Sequence, residues 1–196
     1  KDAKPYDIES YLLGNVSYFP LYNSTKANTL VSLKPHLEKS LIEKLFIFTR
    51  SQWENSSEGI LREIGKKFKR EIVVRSSTNI EDSYFSTYAG FFHSELNVNS
   101  QDLQHVSNAI SNVIASYSKH KNTSQKDQIL VQSQTQDVIY SGVVFTQNIQ
   151  NNGPYYLINY DKSSSTDSVT SGQVSNKLEI IKNIELKNLF PPWKSL

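Results

Sequence analysis

No apolar run in this chain approaches the roughly 18 residues of a membrane-spanning helix; hydrophobic residues come in short runs separated by polar stretches rich in turn formers. Runs that short read as strands: "LFIFT" (45–49), "EIVVR" (71–75), "FFHSELNV" (91–98, with Phe92, Ser94 and Leu96 on one face), "QILVQSQ" (128–134), "SGVVFTQ" (141–147) and "PYYLINYD" (154–161). Three segments have helical periodicity instead. "STKANTLVSL" (24–33) has Ser24 or Thr25 as a cap and Leu30 with Leu33 on one face, and "EGILREIGKKFKR" (58–70) is amphipathic with a basic end suited to its dipole. "SQDLQHVSNAISNVIASYSK" (100–119) starts from Ser100 as a cap and aligns Leu103, Val106, Ile110, Val113, Ile114 and Tyr117 in one stripe. A last hairpin is expected from "SGQV" (171–174) and "KLEIIKN" (177–183). Mixed helices and strands followed by a strand-rich half predict an α+β chain of two lobes, residues 1–120 and 121–196, with the break near 119–127.

A chain of 196 residues is long enough to bury a substantial core. Its net charge of +2 is too small to argue for nucleic acid or an anionic membrane as partner. It contains no cysteine, hence no disulfide and no thiolate metal site, which fits a cytoplasmic protein. It also contains no methionine and begins at Lys1, so a piece of a longer polypeptide is expected, with other segments completing any site. Neither a Walker A motif nor G-x-G-x-x-G occurs, and His36, His93, His105 and His120 share no spacing that suggests a metal or a relay.

The stretch that reads as a site is "VVRSSTNIEDSYFSTYAGFFHSELNV" (73–98). Arg75 follows Ile72, Val73 and Val74, so a buried strand should fix its backbone and present its guanidinium at the strand's end. A planar, permanently charged fork suits phosphate oxygens. Ser76, Ser77 and Thr78 add hydroxyls and backbone donors, and Gly90 permits close backbone approach. The competing reading pairs Arg75 with Glu81 or Asp82, pinning its own loop.

The stretch resembles the signature of the nucleotide-binding domain of the pyruvate phosphate dikinase and phosphoenolpyruvate synthase family. The matching residues are Val74, Arg75, Ser76 and Ser77, the acidic pair Glu81 and Asp82, then Ala89 and Gly90, then Leu96, Asn97 and Val98. Three more matches occur in the family's order. "STKANTLVSL" is similar to its Gly-Lys-x-x-x-Leu helix, with Lys26 at the phosphate-contacting lysine; "ILVQSQ" to its Val-Gln strand beside adenine; and "SGVVFTQN" to its Ser-Gly-Val-x-Phe-Thr-Arg strand. The resemblance covers about residues 20–175. It implies an ATP-grasp fold whose second lobe is incomplete here. Phosphate contacts would come from Lys26, Arg75, Ser76, Ser77 and Thr146, adenine contacts from Gln132, Ser133 and Gln134, and Arg75 would be the catalytic residue.

The chain also departs from the family. Thr25 stands where the family has glycine, and Gln147 where it has the arginine after Phe-Thr. The later acidic pair and Gln-x-Arg strand, which hold magnesium and phosphates, do not occur before residue 196, and neither does the phosphohistidine motif. Magnesium ligands and the phosphohistidine-bearing domain are therefore expected outside this segment. The activity implied is an ATP-dependent phosphotransferase that splits ATP to AMP and phosphate through a phosphohistidine and phosphorylates a small acceptor. "YYLINYDKSSSTDSVTSGQV" resembles the divergent members found with bacterial capsular polysaccharide genes, which favours glutamine as acceptor over pyruvate. The alternative is a non-catalytic ATP-grasp-like binding or regulatory module, which Thr25 and Gln147 favour.

Overall fold

The computed structural model describes residues 25–78, 82–83, 86–87, 93–117, 124–148, 150–151, 153–162, 169 and 176–182. The chain is α+β and divides into two compact units, Lys1–Gln134 and Thr135–Leu196.

In the first unit, helix α1 (Lys26–Leu33) starts where Thr25 leaves the helical conformation and its hydroxyl accepts the Asn28 N–H. A short 3-10 turn (Lys34–His36) follows, and strand β1 (Leu45–Thr49) leads directly into helix α2 (Arg50–Lys67). A capping box makes that junction: the Thr49 hydroxyl accepts the Gln52 N–H at 3.2 Å, and the Gln52 side chain accepts the Thr49 N–H at 2.8 Å. Helix α2 thus begins eight residues before the amphipathic stretch at Glu58 that periodicity detects, and Ser56 (φ −152°, ψ 50°) breaks its regularity between the two parts. The first part, "RSQWENSS", carries too few apolar residues to show a period.

Strand β2 (Glu71–Ser77), the two-residue strands β3 (Asp82–Ser83) and β4 (Ser86–Thr87), strand β5 (Ser94–Asn99), helix α3 (Leu103–Tyr117) and strand β6 (Gln128–Ser133) complete this unit. The cap of α3 is Asp102 rather than Ser100: its carboxylate accepts the N–H groups of Gln104 and His105, both at 3.0 Å. The four longer strands form an antiparallel sheet in the order β1-β6-β2-β5. Strand β6 falls in the half that the sequence assigns to the second lobe, yet it is hydrogen-bonded between β1 and β2, so the division between units follows Gln134. A polar linker in the sequence does not say which sheet the next strand joins.

Alternation gives the sheet two unlike faces. Phe48, Ile72, Val74, Val98, Ile129 and Val131 lie on one and pack under Ile60 and Ile64 of α2 and Val106, Ile110, Val113 and Tyr117 of α3. Each fully buried aliphatic side chain there contributes about 1.5–3 kcal/mol. The α3 stripe read from sequence is this buried face, except Leu103, which is exposed. The opposite face bears Val73, Arg75 and Ser77 of β2 opposite Gln132, Leu130 and Gln128 of β6. Leu130 and Ala27 are fully buried outside the main core cluster, as expected where α1 packs against β6 on this second face.

The second unit holds an antiparallel meander, β7 (Ser141–Phe145), β8 (Tyr155–Asp161) and β9 (Asn176–Ile181). The expected partner of the last strand, "SGQV", lies outside the described residues; β9 pairs with β8, Tyr155 opposite Ile181. Gly142 is required by close approach, since a Cβ there would lie 2.6 Å from the Asn159 carbonyl oxygen. Among the described residues, no helix is long and apolar enough to cross a membrane.

Candidate functional site

Arg75 is half-buried on the second face of the sheet, with Leu130 opposite it on β6 and Ser94 opposite it on β5. It does not stand at the tip of its strand, as the run "EIVVR" suggests, because pairing with β6 continues through Ser76 and Ser77. The ion pairs among the described residues, Lys66–Glu63, His93–Glu95 and Lys177–Glu179, do not involve Arg75. Glu81, Ala89, Gly90 and the side chain of Asp82 lie outside the described residues.

Ser77 lies two residues from Arg75 on the same face, about 7 Å along the strand. Its hydroxyl accepts the backbone N–H of Ala27 at 2.8 Å. Gln128, opposite Ser77, reaches the same helix end: its side-chain Oε1 accepts the Thr25 hydroxyl at 2.5 Å, and its Nε2 donates to the Asn28 side chain at 3.1 Å. The start of α1 is therefore fastened to the strand pair that carries Arg75, which brings the helix bearing Lys26, 49 residues before Arg75 in sequence, onto the Arg75 face of the sheet.

The helix end offers less than an open anion site. The N–H groups of Ala27 and Asn28 are occupied by Ser77 and Thr25, and that of Thr29 by the Thr25 carbonyl. These amide donors are already taken within the protein. Thr25, where the resemblance expects glycine, supplies the cap that occupies one of them.

Ser76 is fully buried on the opposite face, toward α3, and Ser77 is fully buried beside α1, so the two serines face different surroundings. At this edge the Tyr117 hydroxyl accepts the Ser77 N–H at 3.2 Å and donates to the Gln128 carbonyl at 2.5 Å. Arg50 approaches the same tyrosine, its guanidinium carbon 6.0 Å from the ring centre, and its buried Nε has no hydrogen-bond partner.

The three residues matched to adenine recognition have different environments. Gln132 is half-buried on the Arg75 face, opposite Val73 and Leu45. Ser133 lies opposite Ile72 on the helix-covered face, and its N–H donates to the Lys44 carbonyl. The Gln134 side chain holds Asn97, accepting its N–H at 2.6 Å and donating to its side-chain oxygen at 2.5 Å, while the Gln134 N–H donates to Glu71. Asn97 (φ 56°) is the extra residue of a bulge between β2 and β5, a left-handed position that asparagine tolerates. Thr146 and Gln147 are exposed in the bend after β7, in the second unit.

His93 pairs with Glu95 at 2.7 Å, and His105 Nδ1 accepts the Asn99 N–H at 3.4 Å. His36 is exposed, and His120 lies outside the described residues. Among the described residues no group of three histidine or acidic side chains could hold a metal ion.

Two residues of the site escape sequence reading. Gln128 does carry a signal, since it alternates with Leu130 and Gln132 and so shares their face. Tyr117 reads only as the last member of an apolar stripe. No protein-family model matches the sequence, and no curated protein matches it.

Proposed function

We propose that this chain is the ATP-binding part of a dikinase-like phosphotransferase of the ATP-grasp type. Lys26 and Arg75 hold the phosphates, and Gln132, on the same sheet face, lies toward the base. Positioned positive charge is what phosphoryl transfer asks of a protein, because the transition state spreads negative charge over phosphate oxygens. The observation that carries the reading is the Ala27–Ser77 hydrogen bond, which joins the lysine-bearing helix to the arginine-bearing strand. Magnesium ligands, the phosphohistidine and the acceptor site belong to other segments of the full protein, with glutamine favoured over pyruvate as acceptor.

The test is AMP release by the full-length protein, with glutamine and with pyruvate, for the wild type and Arg75→Ala. Acceptor-dependent AMP release that Arg75→Ala abolishes without unfolding the protein supports the reading; undiminished turnover removes Arg75 from the site. A second reading, a non-catalytic nucleotide-binding module, draws on the occupied helix donors at Ala27 and Asn28. Nucleotide binding with no AMP release from any acceptor would favour it.

A further inference from the structure

We infer that Gln128 is a positioning residue for Lys26, acting through the cap of α1; this rests on the nucleotide-phosphate reading above. The geometry is specific to an amide. Gln128 begins β6, opposite Thr49 of β1 and Ser77 of β2, and Tyr117 holds its carbonyl. Its side chain meets α1 with both ends: Oε1 takes the Thr25 hydroxyl proton, and Nε2 donates to the Asn28 Oδ1. Directing that proton toward Gln128 leaves the Thr25 oxygen lone pairs for the Asn28 N–H, 3.2 Å away. The cap is thus oriented from the sheet rather than by the helix alone. Residues 25, 27 and 28 are each tied to Gln128 or Ser77, and Lys26 lies among them.

The linkage matters for phosphate because a flexible lysine binds well only from a fixed base. The cost of ordering a long side chain and its backbone is subtracted from binding, and a preformed anchor reduces it. A carboxylate at residue 128 could not donate to Asn28, and an apolar side chain could do neither job. Gln128 needs no contact with the ligand to act this way.

The experiment is a binding cycle on the full-length protein by calorimetry, with ATP and adenosine as probes. The proteins are the wild type, Gln128→Met, Lys26→Ala and the double variant. The expected result is that Gln128→Met weakens ATP about tenfold, within the coupling typical of residues sharing one hydrogen-bond network, and leaves adenosine unchanged. In the Lys26→Ala background it should weaken ATP less than about twofold, since the residue it places is gone. Independent, additive losses, or equal losses for ATP and adenosine, overturn the inference while leaving the nucleotide reading intact. Should Gln128→Met fail to fold, the pair Thr25→Val and Thr25→Ser carries the test. Loss of ATP affinity in the first with recovery in the second supports the linkage, and equal affinity in both overturns it. A wild-type protein that binds ATP no better than adenosine defeats the phosphate reading itself, and the inference with it.

Discussion

The backbone N–H of Ala27 donates to the Ser77 hydroxyl at 2.8 Å, joining the first turn of a helix to the end of a strand 50 residues later. Both residues are fully buried, so no water stands ready to replace the bond. Ser77→Ala should therefore cost about 1–3 kcal/mol, the usual penalty for a buried donor left without a partner. A urea melt checks the magnitude, and faster amide exchange confined to residues 25–33 would show that α1 is what loosens.

The Tyr117 hydroxyl bridges the paired ends of β2 and β6, taking the Ser77 N–H and giving its own proton to the Gln128 backbone carbonyl. Tyr117→Phe keeps the ring and removes both bonds. Unfolding measurements should show a loss of about 1–3 kcal/mol. A variant as stable as the wild type would mean that the bridge adds nothing to the pairing of the two strands.

Gln134 holds the bulge by pairing its amide with both the N–H and the side chain of Asn97. Gln134→Leu should cost about 1–3 kcal/mol, from two net hydrogen bonds of roughly 0.5–1.5 kcal/mol each that Leu cannot make. A urea melt checks the magnitude, and unchanged stability would show that the bulge holds without the Gln134 amide.

Glu95 links β5 to α3. Burial by itself raises its pKa, but hydrogen bonds from Asn112 and His93 and the charges of His93 and His105 outweigh that, so the carboxyl titrates below its usual range. Because the folded pKa is lower than the unfolded one, the stabilisation is complete above the unfolded pKa. It disappears as pH falls through the folded value. Glu95→Gln should flatten the acid limb of a stability-against-pH curve, and a limb of unchanged slope would show that the contact contributes nothing.

Much of the first unit is legible along the chain. The strand at Glu71, the cap at Thr25, the α3 stripe and the α+β class follow from local patterns, because caps and periodicities act over a few residues. The site is legible only as a set of candidates. Arg75, Ser77 and Gln132 share the face on which the helix of Lys26 docks, while Ser76 and Ser133 lie on the other and Gln134 is engaged with Asn97. A run such as "VVRSS" carries the alternation but not its phase relative to the core, and which face is covered depends on distant helices.

The sequence alone determined which residues carry charge and most of the segments that would be helix or strand, since those properties belong to side chains and their near neighbours. Tertiary structure alone decided that β6 joins the first unit, that Arg75 lies within its strand instead of at its tip, and that the helix bearing Lys26 docks on its face. The physical reason is that strand order and helix docking are set by hydrogen bonds and burial between residues 50 to 103 positions apart, such as Ala27 with Ser77 and Thr25 with Gln128, and no local pattern encodes such a pairing.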